Sequence, residues 1–197
     1  SFLINKGERI GLVGKNGTGK STLFKMIMGE EKQDSGTLST PKGYKIGALD
    51  QHIHFTQPTV IDECIEALPT EKQWDHYKAE IILSGLGFSE QDFQKDPTTF
   101  SGGFQVRINL CKALLADPNM LLLDEPTNYL DILSLRWLKD YLNKWPGEMM
   151  LITHDRDFMD QVTTHTLGLH RRQARKVSGG TIKFYELIIQ EEETYEQ

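Results

Sequence analysis

Apolar positions along the chain fall into two patterns that take turns. Short unbroken apolar runs at residues 10–13, 120–123 and 149–153 have the length and content of strands buried on both faces. Between them lie stretches with helical spacing and recognisable ends: residues 21–28 stopped by Gly29, 104–116 stopped by Asp117-Pro118-Asn119, 135–145, and a short helix after His154. The last strand is expected near residues 165–169. Alternating strands and helices build a mostly parallel sheet flanked by helices, so the fold class is α/β. Leu38 and residues 44–49 flank Pro41-Lys42-Gly43 and predict two strands joined by a tight connection. From Gln51 to Ser101 the strand signals stop. Thr59 can cap a helix over residues 60–68, and a second helical pattern runs to Leu86 before Gly87, so about residues 55–116 read as an inserted helical subdomain.

Composition narrows the class without naming an activity. The 197 residues carry a net charge of −6, 25% charged and 38% hydrophobic residues, as an ordinary globular protein does. No run of about 18 apolar residues occurs, which excludes a membrane span, and residues 1–7 carry no signal pattern, so a cytoplasmic location is expected. The acidity argues against a protein that coats nucleic acid non-specifically. Cys64 and Cys111 have no partners at metal-ligand spacing and read as ordinary buried or half-buried thiols.

Residues 14–21, Gly14-Lys15-Asn16-Gly17-Thr18-Gly19-Lys20-Ser21, fit GxxxxGK[ST] after a strand and before a helix, the context a phosphate-binding loop requires. Small residues let successive N–H groups and the helix N-terminus surround a β-phosphate. Lys20 would reach the β/γ-phosphates of ATP, and Ser21 would ligate Mg²⁺. Asp124-Glu125, ending an apolar strand, supply two further functions: Asp124 can hold Mg²⁺ through water, and Glu125 can orient or deprotonate the attacking water. Ser101-Gly102-Gly103 stands before a helix and forms a second anion site, best explained as a face for the γ-phosphate held by another nucleotide domain. His154 follows a strand whose end lies beside the Asp124 strand, where an imidazole can sense a γ-phosphate. His52, His54, His76, His165 and His170 read as surface or satisfied core residues.

These pieces, in this order, resemble the nucleotide-binding domain of the ABC ATPases over nearly the whole chain. In that resemblance residues 14–21, with Thr22 just beyond, are the Walker A loop and Gln51 is the Q-loop glutamine, a catalytic and metal-binding group. Ser101 to Gly103 look like the signature motif, residues 121–125 like the Walker B strand, Leu130-Asp131 like the D-loop and His154 like the switch histidine. Residues 124–131, Asp-Glu-Pro-Thr-Asn-Tyr-Leu-Asp, are similar to the ABC-F subfamily, which usually has His at the Tyr129 position. Transporter domains more often carry Ser-Ala or Ser-Gly in place of Asn128-Tyr129. Arg136-Trp137-Leu138, residues 154–158 and residues 179–185 also resemble ABC-F, with the Trp137 context closer to the first of its two nucleotide domains. Phe104 stands where the common signature has Gln, and ABC-F members often carry an aromatic there.

The resemblance implies a tandem ATPase acting on ribosomes, without membrane domains, in which two ATPs are sandwiched and each signature serine completes the opposite site. It also implies that residues 1–185 are an ATPase domain lacking the upstream adenine-stacking strand, and that residues 186–197 start an interdomain linker helix. Only 50 positions separate Gln51 from Ser101, leaving little room for the arm that some members insert. The alternatives are the energy-coupling subunit of a membrane transporter and an isolated ATP-binding fragment with negligible turnover. Residues 161–185 hold five basic residues (Arg171, Arg172, Arg175, Lys176, Lys183) and no acid, and residues 186–197 hold five glutamates and no base. A solvated surface is the usual reading of such blocks, with rRNA contact as the alternative.

Overall fold

In the computed structural model, residues 1–170 and 173–195 are described. Arg171 and Arg172 of the basic block, Glu196 of the acidic tail and the side chain of His170 lie outside them. The strands β1 (Arg9–Val13), β2 (Ile46–Ala48), β3 (Met120–Asp124), β4 (Glu148–Ile152), β5 (His165–His170) and β6 (Gln173–Ser178) form a sheet in the order β2-β3-β4-β1-β5-β6. The chain divides into two compact units. The first comprises Ser1–Tyr44, Leu122–Glu125 and Pro146–Gln197; the second comprises Lys45–Leu121 and Pro126–Trp145.

The first unit is organised around β1. It runs parallel to β4, with Ile10 opposite Met150, and parallel to β5, with Leu12 opposite Leu167. Ile10, Leu12, Leu122, Leu123, Met149, Met150, Leu151 and Leu167 are buried, which is why these strands read as continuous apolar runs. The helices of this unit are α1 (Lys20–Met28) and, numbered after the four helices described below, α6 (Arg156–Val162) and α7 (Thr181–Tyr195). Gly29, at φ 79°, ends α1, and Glu30 N–H donates to Lys25 O at 2.9 Å in a Schellman-type stop. α7 contains residue 186, where the linker was expected to begin, and starts five residues before it.

Two sequence expectations change here. β5 is not the last strand: β6 pairs with it antiparallel, His165 opposite Ser178. The anticipated strand at Leu38 does not form, and Leu38 is exposed. The turn between the two expected strands is present, with Tyr44 N–H donating to Pro41 O at 3.1 Å, but the single apolar residue before it gives a strand nothing to bury.

The second unit packs α2 (Val60–Ile65), α3 (His76–Gly85), α4 (Gly102–Leu115) and α5 (Ile132–Lys144). Its core includes Val60, Cys64, Leu83, Leu86, Ile108, Cys111, Leu138 and Leu142. Thr59 caps α2 as expected, its hydroxyl accepting from Asp62 N–H. α5 begins at Ile132, three residues earlier than its periodicity suggested, because Asp131 caps it. Buried Glu63 is matched by Lys112 at 2.6 Å and by the N–H groups of Thr56 and Gln57 at 2.9 and 2.8 Å. Burial pushes its pKa up, and these donors more than reverse that, so it is lowered overall. Among the described residues, no helix is long and apolar enough to cross a membrane.

Candidate functional site

The C-terminal ends of β3, β4 and β1, neighbours in the sheet, carry the chemistry of the first unit. After β1 the chain turns through residues 14–19 into α1. Gly17 and Gly19 have φ of 82° and 96°, a backbone that side-chain-bearing residues rarely adopt. Thr18 closes the turn: its N–H and its hydroxyl both donate to Lys15 O, at 3.1 and 2.7 Å. Lys20 folds back into the loop and donates from Nζ to Gly14 O at 2.6 Å and Lys15 O at 3.2 Å. An ammonium is thus held against two peptide carbonyls of the loop. Lys15, Asn16 and Thr22 are exposed around it.

Ser21, in the first turn of α1, donates from Oγ to Asp124 Oδ2 at 3.0 Å. The phosphate loop and the end of β3 are therefore linked through a hydroxyl and a carboxylate, both hard oxygen groups suited to Mg²⁺. The donor set fits Mg²⁺ with a polyphosphate: the Lys20 ammonium lies in the loop, and the Ser21 and Asp124 oxygens stand beside it.

Glu125 follows in the left-handed region, at φ 51°, and its N–H donates to Ile152 O at 2.8 Å. A non-glycine residue there costs about 1–2 kcal/mol. That bend brings the carboxylate to His154: Glu125 Oε1 lies 3.2 Å from His154 Nε2, and Glu125 Oε2 accepts from His154 N–H at 3.4 Å. The Glu125 side chain is 21% exposed and that of His154 79%, so the carboxylate is sheltered while the imidazole faces solvent.

Gln51, Ser101, Gly102, Gly103 and Asp131 belong to the second unit. Asn109 Nδ2 on α4 donates to Asp50 O at 3.1 Å and His52 O at 3.0 Å, gripping the backbone on both sides of Gln51. Ser101 is the N-cap of α4, its Oγ accepting from Phe104 N–H at 3.5 Å. Gly102 and Gly103 form the first turn, whose N–H groups have no intrahelical acceptor. Phe104 packs edge-on against Phe88, centroids 5.1 Å apart, and carries the Arg107 guanidinium 4.4 Å from its ring. The position that departs from the common signature is thus an apolar support for the helix start.

Asp131 caps α5, with Oδ1 accepting from Ser134 N–H at 2.8 Å. The Ser134 hydrogen bonds, with Arg107 nearby, hold its carboxyl below the usual aspartate range. Arg107, 6% exposed, is a residue of this region that sequence reasoning missed. It donates to Tyr129 O at 2.6 Å and Leu86 O at 2.8 Å and lies 3.4 Å from Asp131 Oδ2, binding the signature helix to the 129–131 segment. Tyr129, at φ 65°, lies against Gly103, where an added Cβ would come within 3.2 Å of the tyrosine Cβ.

The basic block is partly neutralised within the first unit. Arg175 pairs with Glu191, and Lys176 bonds Glu8 at 2.6 Å and Leu3 O at 2.6 Å. Cys64 and Cys111 are both buried thiols, as expected.

The phosphate loop, the hydroxyl–carboxylate pair and the carboxylate–imidazole pair on adjacent strand ends define a P-loop nucleotide-binding domain. The family model described as ABC transporter matches residues 1–128, and the chain belongs to that family, as one of its ATP-binding domains. It is 38% identical over 200 residues to the energy-dependent translational throttle protein EttA of Escherichia coli, covering 100% of this chain and 35% of that protein. It is 32% identical over 214 residues to the probable ATP-binding protein YheS of Haemophilus influenzae, covering 93% of this chain and 34% of that one. Both are ABC-F proteins, and the chain spans about a third of their length. Among solved structures, an ATP-binding subunit of an ABC transporter shares the fold, with TM-score 0.78 and 22% identity over 90% of this chain and 81% of that one. An archaeal ribosome recycling factor, solved with a ribosomal stalk protein, matches with TM-score 0.76 and 25% identity over 94% of this chain and 38% of that one.

Proposed function

We propose that the chain binds and hydrolyses ATP as one half, the first, of a tandem ABC-F protein, and that hydrolysis times an action on the ribosome. The observation that carries the catalytic part is the Glu125–His154 pair at 3.2 Å beside the Ser21–Asp124 pair at 3.0 Å. Lys20 would exchange the Gly14 and Lys15 carbonyls for phosphate oxygens. Ser21 and Asp124, with Gln51, would hold Mg²⁺, which when bound supplies charge neutralisation on the β/γ-phosphates. Glu125 would take the proton of the attacking water, and His154 would hold that carboxylate in place and approach the γ-phosphate. Ser101, Gly102 and Gly103 would serve a γ-phosphate bound by the second nucleotide domain, with Asp131 at the same junction.

The ribosomal part is supported by the names of the relatives: one is a translational throttle and another a ribosome recycling factor. The fold likeness to a transporter's ATP-binding subunit favours the second reading, energy coupling for a membrane protein. Glu125→Gln in the complete protein separates the two. The ribosomal reading expects the ATP-loaded variant to co-sediment with ribosomes. Absence from ribosomes together with co-purification of a membrane subunit would establish the other.

A further inference from the structure

The His154 side chain is 79% exposed, and its position depends on what holds α6, which begins two residues after it. Asp155 caps that helix, its Oδ1 accepting from Phe158 N–H at 2.9 Å, so His154 moves with the α6 N-terminus. On the sheet side, Met159 of α6 sits over Gly11 of β1. A Cβ on Gly11 would lie 2.6 Å from the Met159 sulfur, so only glycine lets the helix approach this closely to the strand that feeds the phosphate loop.

The opposite side of α6 is fastened to α7. Asp160 accepts from Thr181 N–H at 2.9 Å and from Thr181 Oγ1 at 2.8 Å, which caps the start of α7 with a carboxylate from α6. Thr181 is 2% exposed, so these bonds are sheltered from water. One turn back along α6 and one turn further along α7, the Arg156 guanidinium lies 4.9 Å from the centre of the Tyr185 ring. α7 is itself seated on the sheet by Phe184, which is buried in a notch at Gly168 that a Cβ would fill to within 1.9 Å of the ring. α7 is thereby joined, through two contacts on one short helix, to the segment that carries His154.

We infer that Arg156, Asp160, Thr181 and Tyr185 are positioning residues for His154, so that the seating of α7 sets the reach of the imidazole to Glu125. The contacts are made by side chains remote from the phosphate loop, so their loss acts on the placement of His154 and leaves the binding of nucleotide unaltered. In the other direction, a rearrangement at Glu125 and His154 pulls on the start of α7. α7 is therefore an element of the first unit that responds to the state of its site.

The inference rests on the ATP hydrolysis proposed above, and the test keeps the two apart. Thr181→Val and Tyr185→Leu remove one fastening each, and Tyr185→Phe keeps the ring. In the complete protein the first two should lower kcat roughly ten-fold, as small misplacements of a reacting group do. KM for ATP should change less than about two-fold, and Tyr185→Phe should behave as wild type. In parallel, the imidazole resonances of His154, assigned by their loss in His154→Gln, are compared between the variants and the wild type. Their chemical shifts should change in Thr181→Val and Tyr185→Leu and stay in place in Tyr185→Phe. Folded variants with wild-type kcat, or with kcat and ATP affinity lost in proportion, overturn the inference. If the wild-type protein does not turn over ATP, the hydrolytic reading fails, and unchanged His154 resonances in both variants then overturn the positioning role as well.

Discussion

In the first unit the functional side chains bond to one another, Ser21 to Asp124 and Glu125 to His154. In the second unit they bond to the scaffold: Ser101 and Asp131 cap helices, and Arg107 holds main-chain carbonyls. The first arrangement is suited to acid–base and ligand groups that would act together on one substrate. The second offers helix-start N–H groups and a cap hydroxyl, groups suited to receiving an anion that something else carries. The same chain therefore contains one set of groups bonded to each other and, on the proposed reading, one set that would receive a partner's phosphate.

The sharpest way to break the comparison is at Glu125. Glu125→Gln keeps the shape and removes the base, and kcat for ATP hydrolysis should fall about 10²- to 10⁴-fold with nucleotide affinity retained, measured by single-turnover kinetics and equilibrium binding. An equal loss of binding would make Glu125 a structural residue. Ser101→Ala probes the other unit. The cap is long, at 3.5 Å, so the stability loss should stay near 1 kcal/mol or less, while ATP turnover in the complete protein drops much further. A stability loss with turnover unchanged would reduce Ser101 to a cap.

Arg107→Met leaves the Tyr129 and Leu86 carbonyls without their buried donor and should cost about 3 kcal/mol in denaturant unfolding. If the second unit merely tolerates this arginine, the cost will be under about 1 kcal/mol. The smallest effect is expected at Glu8 in the first unit. Burial pushes its carboxyl up, and hydrogen bonds from Lys176 and Asn5 outweigh this and bring it from 4.5 down to about 2. Because the folded pKa lies below the unfolded one, the stabilisation is complete above pH 4.5 and is lost as pH falls toward 2. Glu8→Gln should flatten the acid side of the stability profile in that window.

What the sequence made legible followed from contiguity. Residues 14–21 and 120–125 are short unbroken segments in which pattern and chemistry coincide, so loop, strand and carboxylates could be read together. β6 escaped because Gln-Ala-Arg-Lys-Val-Ser contains no apolar run; it is an edge strand with mixed exposure, paired on one side. The start of α5 escaped because Ile132 and Leu133 are exposed, at 69% and 74%, so the helical period begins only after them. Arg107 escaped for a related reason: a charged residue on a helix is expected at the surface, and only the fold shows it buried among carbonyls. The left-handed backbone of Glu125, which aims its carboxylate at His154, has no signature in residue type at all.

The most direct test of the account is the dependence of ATPase rate on the concentration of this chain, for the wild type and for Ser101→Ala. If Ser101 to Gly103 complete a site on another copy or domain, activity per chain rises with concentration, and Ser101→Ala abolishes the rise. Activity that is independent of concentration and intact in Ser101→Ala would contradict the division of labour between the two units.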